Sequence, residues 1–341
     1  MAHMTQNRTL SRRTFLRIVA AGSIGAATAY KLGWDRPDSA EAVSETRLLM
    51  GTLINLTLIT PDERAGKAAI GACLDHMQAL EAILSHYRAD SQLSQLNSAG
   101  SLDRASEHLT RVLADAQQIA AQTGGAFDVT IKPLTDLYQA ALAGGGPLPD
   151  AETVEAARAC VGCAGLTLDG SRVVFERPGM AITLDGIAKG YIVDEGVQVL
   201  RANGFTDVLV EAGGDLVGAG EKQTRPWRIG IEAPRADGAP SLGAIEIVNK
   251  AVATSGDYMQ PYTSDFSLHH ILDPRTGLSA PTLASATVIA ERCALADALA
   301  TAMMVLGPDE GLATLKRFPG SEGYLVGKDA QVWKSEGFVT A

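Results

Sequence analysis

Cysteine is scarce in this sequence, with four residues in a chain of 341. Only Cys160 and Cys163 have the C-x-x-C spacing, and no second such pair accompanies them. This excludes a four-cysteine zinc site and leaves two interpretations, buried thiols or one incidental disulfide. The sequence also lacks a G-x-x-x-x-G-K-[ST] segment, which excludes a Walker A phosphate loop.

Positive charge is scarce too, since the formal net charge is -10. Residues 1–40 contain six basic and two acidic residues, so the remainder has 23 basic against 37 acidic residues, a formal charge of -14. A surface of this sign repels phosphate backbones. We therefore expect no nucleic-acid partner.

Long apolar runs are absent as well. The run "IVAAGSIGAATAYKLG" is too short and too glycine-rich to span a bilayer, and it follows the twin-arginine stretch "SRRTFLR". This combination is typical of signals that export folded proteins, the alternative being a basic disordered tail. We expect residues 1–42 to be a leader and residues 43–341 the folded part. The protein would then be periplasmic, or tethered to the inner membrane if the leader is not cleaved.

Hydrophobic periodicity within residues 43–341 indicates an α+β fold, because long helices are interspersed with runs of consecutive strands. The segment "AGGGPLPD" (143–150) is the best candidate for a break between sub-lobes, with Asp150 capping the next helix. Residues 85–100 are expected to be a polar loop. Strands are predicted at 47–60, 126–131, 166–170, 172–176, 181–185, 227–234, 242–256, 269–274 and 285–291, and a strand with a glycine turn at 207–218. Helices are predicted at 64–84, 108–125, 187–201 and 295–307.

The helix predicted at 295–307 is apolar on every side except at Asp297 and Thr301. These two residues are four apart and so share one face of a helix that is otherwise buried. Carboxylate and hydroxyl oxygens are ligands that suit Mg²⁺. The alternative is a buried aspartate that bonds the threonine or caps a nearby loop.

Two further segments carry polar groups suited to catalysis. In "LDGIAKGYIVD" (184–194), Gly186 and Lys189 lie at the start of a helix, where free N–H groups and a lysine favour an anion, although a glycine turn with a solvated lysine is also consistent. In "HHILDPRTG" (269–277), one histidine can line a site as a general base, or both can be structural.

Eight motifs follow one another along the chain: "MGT", "YRADSQLSQLN", "TGGAFDVT", "GIAKGYIVD", "GGD", "TSGDY", "HHILDPRTG" and "ADALATA". In this order they resemble the ApbE family, the FAD:protein FMN transferases, over about residues 45–330. The resemblance implies an ApbE-like, T-fold-related structure of mixed sheets packed with helices, with the active site in a cleft between two lobes. It also implies that FAD binds with Mg²⁺ (or Mn²⁺) on its pyrophosphate. A threonine or serine hydroxyl of a partner protein then attacks the FMN-side phosphate, and AMP leaves.

The resemblance assigns roles to particular residues. The metal ligands are Asp297, Thr301 and the main-chain oxygen of Gly186. His270 is the candidate base, Asp257 a weaker one, and Lys189 a catalytic cation that also contacts FAD. The other FAD-contacting positions are Met50, Tyr87, Ala126, Phe127, Asp128, Thr183 and Leu272.

This sequence departs from the family pattern at one place. Many members have D-L-G-G-I-A-K-G where this chain has T-L-D-G-I-A-K-G, so that the carboxylate moves from position 183 to position 185. A T-L-x-G-I-A pattern resembles the exported branch linked to nitrous oxide reductase maturation. The implied acceptors are flavoprotein subunits of membrane redox complexes, either NADH:quinone reductase-like, Rnf-type or nitrous oxide reductase accessory proteins.

Two other functions are consistent with the same residues. A Mg²⁺-dependent pyrophosphatase would split FAD into FMN and AMP with the same metal ligands. A non-catalytic FAD-binding protein would retain FAD and release no AMP.

Overall fold

The computed structural model describes residues 42–143, 147–235 and 241–340. The expected leader, residues 1–42, therefore lies outside the described residues apart from Ala42. Within those ranges no helix has the length and apolarity needed to cross a membrane. All four cysteines have free thiols; Cys160 is half-buried and the other three are buried, so the interpretation as thiols is confirmed.

The strands of the described residues form three sheets in which every pairing is antiparallel. They are β1 (Ala42–Leu49), β2 (Thr52–Ile59), β3 (Ser101–Leu102), β4 (Leu166–Asp169), β5 (Arg172–Phe175), β6 (Val208–Ala212), β7 (Asp215–Ala219), β8 (Trp227–Glu232), β9 (Ser241–Ile247), β10 (Lys250–Gly256), β11 (Leu283–Ala290), β12 (Glu322–Gly327) and β13 (Val332–Lys334). The main sheet has the order β1-β2-β6-β7-β10-β11-β12-β13, while β3-β5-β4 and β8-β9 form the two smaller sheets.

Seven α-helices lie in the described residues, and together with the sheets they confirm the α+β prediction. They are α1 (Glu63–Leu84), α2 (Gln92–Ala99), α3 (Glu107–Gln122), α4 (Lys132–Ala143), α5 (Ala151–Arg158), α6 (Ala188–Ala202) and α7 (Cys293–Leu315). Helix α7 extends beyond its predicted end because the chain kinks at Gly307, where φ is 75°, and resumes the helix at Pro308.

The main sheet has a core on each face. On one face, α1, α3, α6 and α7 bury a large apolar core against it. On the other face, the β8-β9 hairpin packs alternate residues such as Trp227, Ile229 and Ile231 into a second core. A third, small core joins α4, α5 and Leu272. The break expected at 143–150 therefore separates two helices that pack together; residues 144–146 of it lie outside the described ranges.

The single strand predicted at 47–60 is wrong, since β1 and β2 form a hairpin there. The two-residue turn is Met50-Gly51, with φ values of 53° and 71°, which are the positive angles that a type I′ turn requires. Continuous alternation of apolar and polar residues on both sides of the turn conceals it in the sequence. The turn adjoins the β6–β7 turn, because a Cβ on Gly213 would lie 2.6 Å from the Thr52 hydroxyl.

The single strand predicted at 242–256 is also wrong, since β9 and β10 occupy it as two strands of different sheets, separated at Asn249, where φ is 52°. Four other local predictions are wrong for a shared reason: side-chain caps and long-range contacts override strand or loop propensity. Ser91 caps α2 within the predicted loop at 85–100. Asp128 caps a 3-10 turn (Val129–Ile131) where a strand was predicted at 126–131. Residues 181–185 and 269–274 are extended or turn segments outside the strands. The helices predicted at 64–84, 108–125 and 187–201 are confirmed to within a few residues, and Asp150 caps α5.

Helices α6 and α7 touch at their backbones. A Cβ on Gly190 would lie 2.4 Å from the carbonyl oxygen of Cys293, so only glycine fits at this contact. The side chain of Asp194, on α6, accepts the N–H groups of Cys293 and Ala294 at 2.8 and 3.0 Å and so caps α7. These contacts fix the position of α7 relative to the start of α6.

We predict that Gly190→Ala lowers the free energy of unfolding by about 3 kcal/mol or more, because the added methyl meets backbone atoms that have nowhere to move. Gly71→Ala is the matched control, since Gly71 is also helical and a Cβ there meets nothing within 4 Å. It should stabilise the protein by up to about 1 kcal/mol. Urea unfolding measures both, and equal effects would contradict the close approach of the two helices.

Candidate active site

The candidate site begins at Asp297, which α7 holds in the protein interior with only 4% of its surface exposed. Its Oδ2 accepts the backbone N–H of Gly190 at 3.3 Å. The N–H groups of Ile187 and Ala188 are also bonded, to the carbonyl of Leu184. The prediction of free N–H groups for an outside anion at this helix start is therefore wrong for these three residues, because Asp297 and the Leu184 carbonyl occupy them.

A second buried carboxylate, Asp215, shares the site. It is the first residue of β7, directly after the Gly213-Gly214 turn, and it forms a short ion pair with Lys189. Lys189 is therefore bound to a partner, and the alternative of a solvated lysine is wrong. Burial lowers the pKa of Lys189, but the charges of Asp215 and Asp297 outweigh it and hold that pKa above its usual range.

The two carboxylates share one lysine, which leaves an excess of one negative charge. Burial, reinforced by the charge of Asp215, raises the pKa of Asp297 well above its usual range. Burial also raises the pKa of Asp215, although Lys189 opposes the shift. The pair therefore favours a shared proton or a bound cation over two free carboxylates.

Thr301, one turn after Asp297 on α7, adds a hydroxyl group to the site. The Thr301 hydroxyl is 3.2 Å from that of Ser255, which belongs to β10. A Cβ on Gly186 would lie 2.9 Å from the Thr301 hydroxyl and 3.4 Å from the Phe127 ring. The structure thus brings Gly186, Thr301 and Asp297 to one place, the grouping that the family resemblance implies. Carboxylate, hydroxyl and main-chain oxygens are a donor set that can hold Mg²⁺.

Tyr87 lies beside the departure from the family pattern. Its hydroxyl donates to Asp185 Oδ2 at 3.0 Å, and His86 Nε2 lies 3.0 Å from the same oxygen. Burial raises the pKa of Asp185, but its hydrogen bonds with His86, Thr183 and Tyr87 outweigh burial and lower the pKa overall. The Tyr87 side chain is 69% exposed, and one face of its ring packs on His86, with centroids 3.9 Å apart. An exposed aromatic ring held in this way can receive a planar ligand.

The segment 126–131 forms a wall beside Gly186. Ala126 and Phe127 are buried, and the backbone N–H of Thr183 donates to the Val129 carbonyl at 2.9 Å. Both Asp128 oxygens accept local bonds, from Thr130 at 2.8 and 2.6 Å and from the backbone of Cys163 at 2.8 Å. Asp128 thus supports the wall, and its contact with a nucleotide stays a prediction.

The two candidate bases differ in their surroundings. His270 Nδ1 is buried and has no hydrogen-bond partner in the described residues. Burial, with a smaller contribution from His269, lowers the pKa of His270 to about 4, so its ring is neutral at pH 7. Both oxygens of Asp257 instead accept hydrogen bonds from the Arg235 guanidinium, at 2.7 and 2.8 Å. This bidentate pair favours an anchoring role for Asp257 over a catalytic one.

The remaining predicted contacts are more dispersed. Leu272 is buried in the small core with α4 and α5, and Met50 lies in the β1–β2 turn beside Gly213. Sequence reasoning did not assign Asp215, Ser255 or His86. The sequence did contain a signal that Asp215 is functional, because this acidic residue follows two glycines and begins a strand whose other residues are apolar. His86 meets Asp185 from 99 residues away in the chain, and no local pattern reveals that.

Comparison with known proteins is consistent with this arrangement. The sequence model of the ApbE family matches residues 50–325. The chain belongs to the ApbE family. Among ApbE relatives, the FAD:protein FMN transferase of Vibrio cholerae is 34% identical over 295 residues, which cover 82% of this chain and 86% of that protein. The FAD:protein FMN transferase of Treponema pallidum is 32% identical over 322 residues and covers 87% of each chain.

Solved ApbE structures have the same fold. The flavinyl transferase ApbE of Pseudomonas stutzeri, in its apo form, superimposes with a TM-score of 0.74 at 32% identity, covering 86% of this chain and 94% of that one. The ApbE protein of Thermotoga maritima gives a TM-score of 0.78 at 29% identity, covering 86% and 97%. The predicted ApbE-like fold is confirmed.

We predict that Asp297→Asn stabilises the protein at neutral pH in the presence of a chelator, by about 1 kcal/mol, because it removes the unmatched buried charge. The folded pKa of Asp297 is raised, so the native state keeps a proton that the unfolded chain releases. Stability from this group is present below the usual aspartate pKa of 3.8 and is lost as pH rises toward the raised value.

Urea unfolding across this pH range tests the assignment. The asparagine variant should lack the loss of stability with rising pH. As the control, Asp215→Asn removes the partner of Lys189 and should destabilise the protein. An Asp297→Asn variant that is less stable than the parent at neutral pH would contradict the charge excess.

Proposed function

We propose that this protein transfers FMN from FAD to a threonine or serine hydroxyl of a partner protein in a Mg²⁺-dependent reaction that releases AMP. It is an enzyme, and FAD and an acceptor protein are its two substrates. The observation that carries the proposal is the convergence of Gly186, Asp297 and Thr301 with the Lys189–Asp215 pair. Relatives named FAD:protein FMN transferase, at 32–34% identity, support it.

The donor groups fit a divalent cation. Asp297, Thr301 and the main-chain oxygen of Gly186 would hold Mg²⁺, and Mn²⁺ is compatible with the same oxygens. The ion would neutralise charge that develops on the pyrophosphate during cleavage. The buried charge excess supports this assignment, because a divalent cation would allow both carboxylates to ionise. Lys189 would keep Asp215 charged and add a positive charge beside the phosphates.

The protein's own residues would bind FAD and manage the proton. The exposed ring of Tyr87 would pack on the flavin, and Met50 and the wall at 126–131 would limit access of water. His270 Nδ1, which has no partner in the described residues, would accept the proton of the attacking hydroxyl. A pKa of about 4 makes a weak base, and the negative charge of a bound pyrophosphate would raise that pKa.

The proposal for location rests on the leader, and the proposal for partners rests on the family resemblance. We propose export by the twin-arginine route to the periplasm, where acceptors would be flavoprotein subunits of membrane redox complexes. Candidates are NADH:quinone reductase-like, Rnf-type and nitrous oxide reductase accessory proteins. The T-L-D-G departure supports the last group through its resemblance to the exported branch.

The proposed function is tested by incubation with FAD, Mg²⁺ and an acceptor domain that carries a threonine. Mass spectrometry should detect FMN on the acceptor, with one AMP released for each transfer. Prompt AMP release without acceptor would favour the pyrophosphatase. Retention of FAD with no AMP under any condition would favour a non-catalytic binding protein.

We predict that Asp297→Ala reduces Mg²⁺-dependent AMP release by about 1000-fold and Thr301→Val by about 10- to 100-fold, since each removes a metal ligand. Asp309→Ala and Thr314→Val make the same chemical changes elsewhere on α7 and should leave the rate within about twofold of the parent. Unaltered rates in both ligand variants would refute the metal assignment.

We also predict that His270→Asn leaves FAD affinity intact and slows transfer by about 100-fold or more, because the hydroxyl loses its proton acceptor. The comparison is between FAD binding by fluorescence and single-turnover transfer by mass spectrometry. Undiminished transfer would exclude His270 as the base.

A further inference from the structure

A group of three potential metal ligands lies outside the site described above. His76 on α1, His108 on α3 and Glu195 on α6 each offer one ligand atom, and these atoms all lie within 4.8 Å of one another. Helix α1 packs against both α3 and α6, which brings the three side chains to one place. We call this group the His76–His108–Glu195 cluster.

The spacing within the cluster is too long for hydrogen bonds and suits an intervening ion. Glu195 Oε2 is 3.9 Å from His76 Nε2 and 3.9 Å from His108 Nδ1. Ligand atoms around a tetrahedral zinc ion, with bonds of about 2.0–2.1 Å, are about 3.3 Å apart. A contraction of roughly half an ångström at each side chain would therefore complete a three-ligand site.

Glu195 is oriented by a separate contact. Its other oxygen, Oε1, lies 3.6 Å from Arg111, which also pairs with Glu107. Because Arg111 pairs with Oε1, the other oxygen of Glu195, Oε2, is the one that lies nearest the two histidines. The side chains of the cluster are 19–32% exposed, so an ion from solution can reach them.

One hydrogen bond would be exchanged on binding. His108 Nδ1 lies 2.8 Å from the Tyr191 hydroxyl, and metal ligation at this nitrogen would replace that bond. The hydroxyl could then bond a water on the ion, since Tyr191 is four residues before Glu195 on the same helix.

We propose that the His76–His108–Glu195 cluster binds a zinc-class transition-metal ion that joins α1, α3 and α6. Two imidazoles and a carboxylate suit Zn²⁺, whereas Mg²⁺ prefers oxygen ligands. The site is separate from the Asp297 site and does not depend on the proposed FMN transfer. Because it links three helices of the main core, its ion raises the thermal stability of the folded state.

The test is a Zn²⁺ titration of the full chain against a chromophoric chelator, with excess Mg²⁺ to saturate the Asp297 site. The protein used in this titration has the substitution His3→Gln in the parent and in every variant. The substitution removes an imidazole near the amino terminus that would itself bind metal. We expect one Zn²⁺ per chain and a higher Tm when zinc is present. Co²⁺ in place of Zn²⁺ should give the visible absorption of a tetrahedral ion.

His76→Gln, His108→Gln and Glu195→Gln should each weaken Zn²⁺ binding by at least about tenfold and abolish the rise in Tm. Glu63→Gln, which removes the same charge at an exposed position of α1, should change neither quantity. If one variant does not fold, the other two and the Co²⁺ spectrum of the parent decide the result. Absence of zinc binding, or equal affinity in the parent and the ligand variants, would overturn the proposal.

Discussion

Two buried carboxylates that share one lysine are the constraint on which the centre of this molecule depends. Asp215 and Asp297 lie in an environment that disfavours charge, and Lys189 balances only one of them. The chain supports this arrangement with a glycine at the α6–α7 contact and with Asp194 on the α7 N-terminus. A buried carboxylate on an otherwise apolar helix therefore indicates a site where a cation or a proton must neutralise the excess negative charge.

The mouth of the site, which we define as Tyr87, His86 and Asp185 beside Gly186, is built differently from its interior. Tyr87, His86 and Asp185 belong to loops, and their hydrogen bonds join segments about 100 residues apart in the chain. In this chain the carboxylate of the T-L-D-G sequence binds those two side chains, while Thr183 accepts the backbone N–H of Asp185 at 3.2 Å. The departure from the family pattern thus gives the mouth a carboxylate that bonds two side chains from another loop and leaves a neutral hydroxyl at position 183.

Sequence reasoning succeeded where a single element contains its own evidence. Helix α7 could be predicted because its apolar residues surround one aspartate–threonine pair. Gly186 lies close to Thr301, which is consistent with what the family resemblance implies. Sequence reasoning failed where the hydrogen-bond or ion-pair partners of a residue come from distant segments of the chain. Asp215 needs Lys189 on another helix, and residues 126–131 form a turn because Asp128 caps it and bonds Cys163. Such contacts exist only after the chain has folded.

The backbone contact between Gly190 and Cys293 has a consequence for the choice of ion. Because α6 and α7 already touch, the two helices cannot move closer at this point, and the Asp194 cap restrains them from moving apart. Ca²⁺ needs bonds of about 2.3–2.6 Å and six to eight ligands, whereas Mg²⁺ needs about 2.0–2.1 Å and six. The Mg²⁺ that we propose for the Asp297 site would fit a frame held in this way, whereas Ca²⁺ would require the two helices to separate.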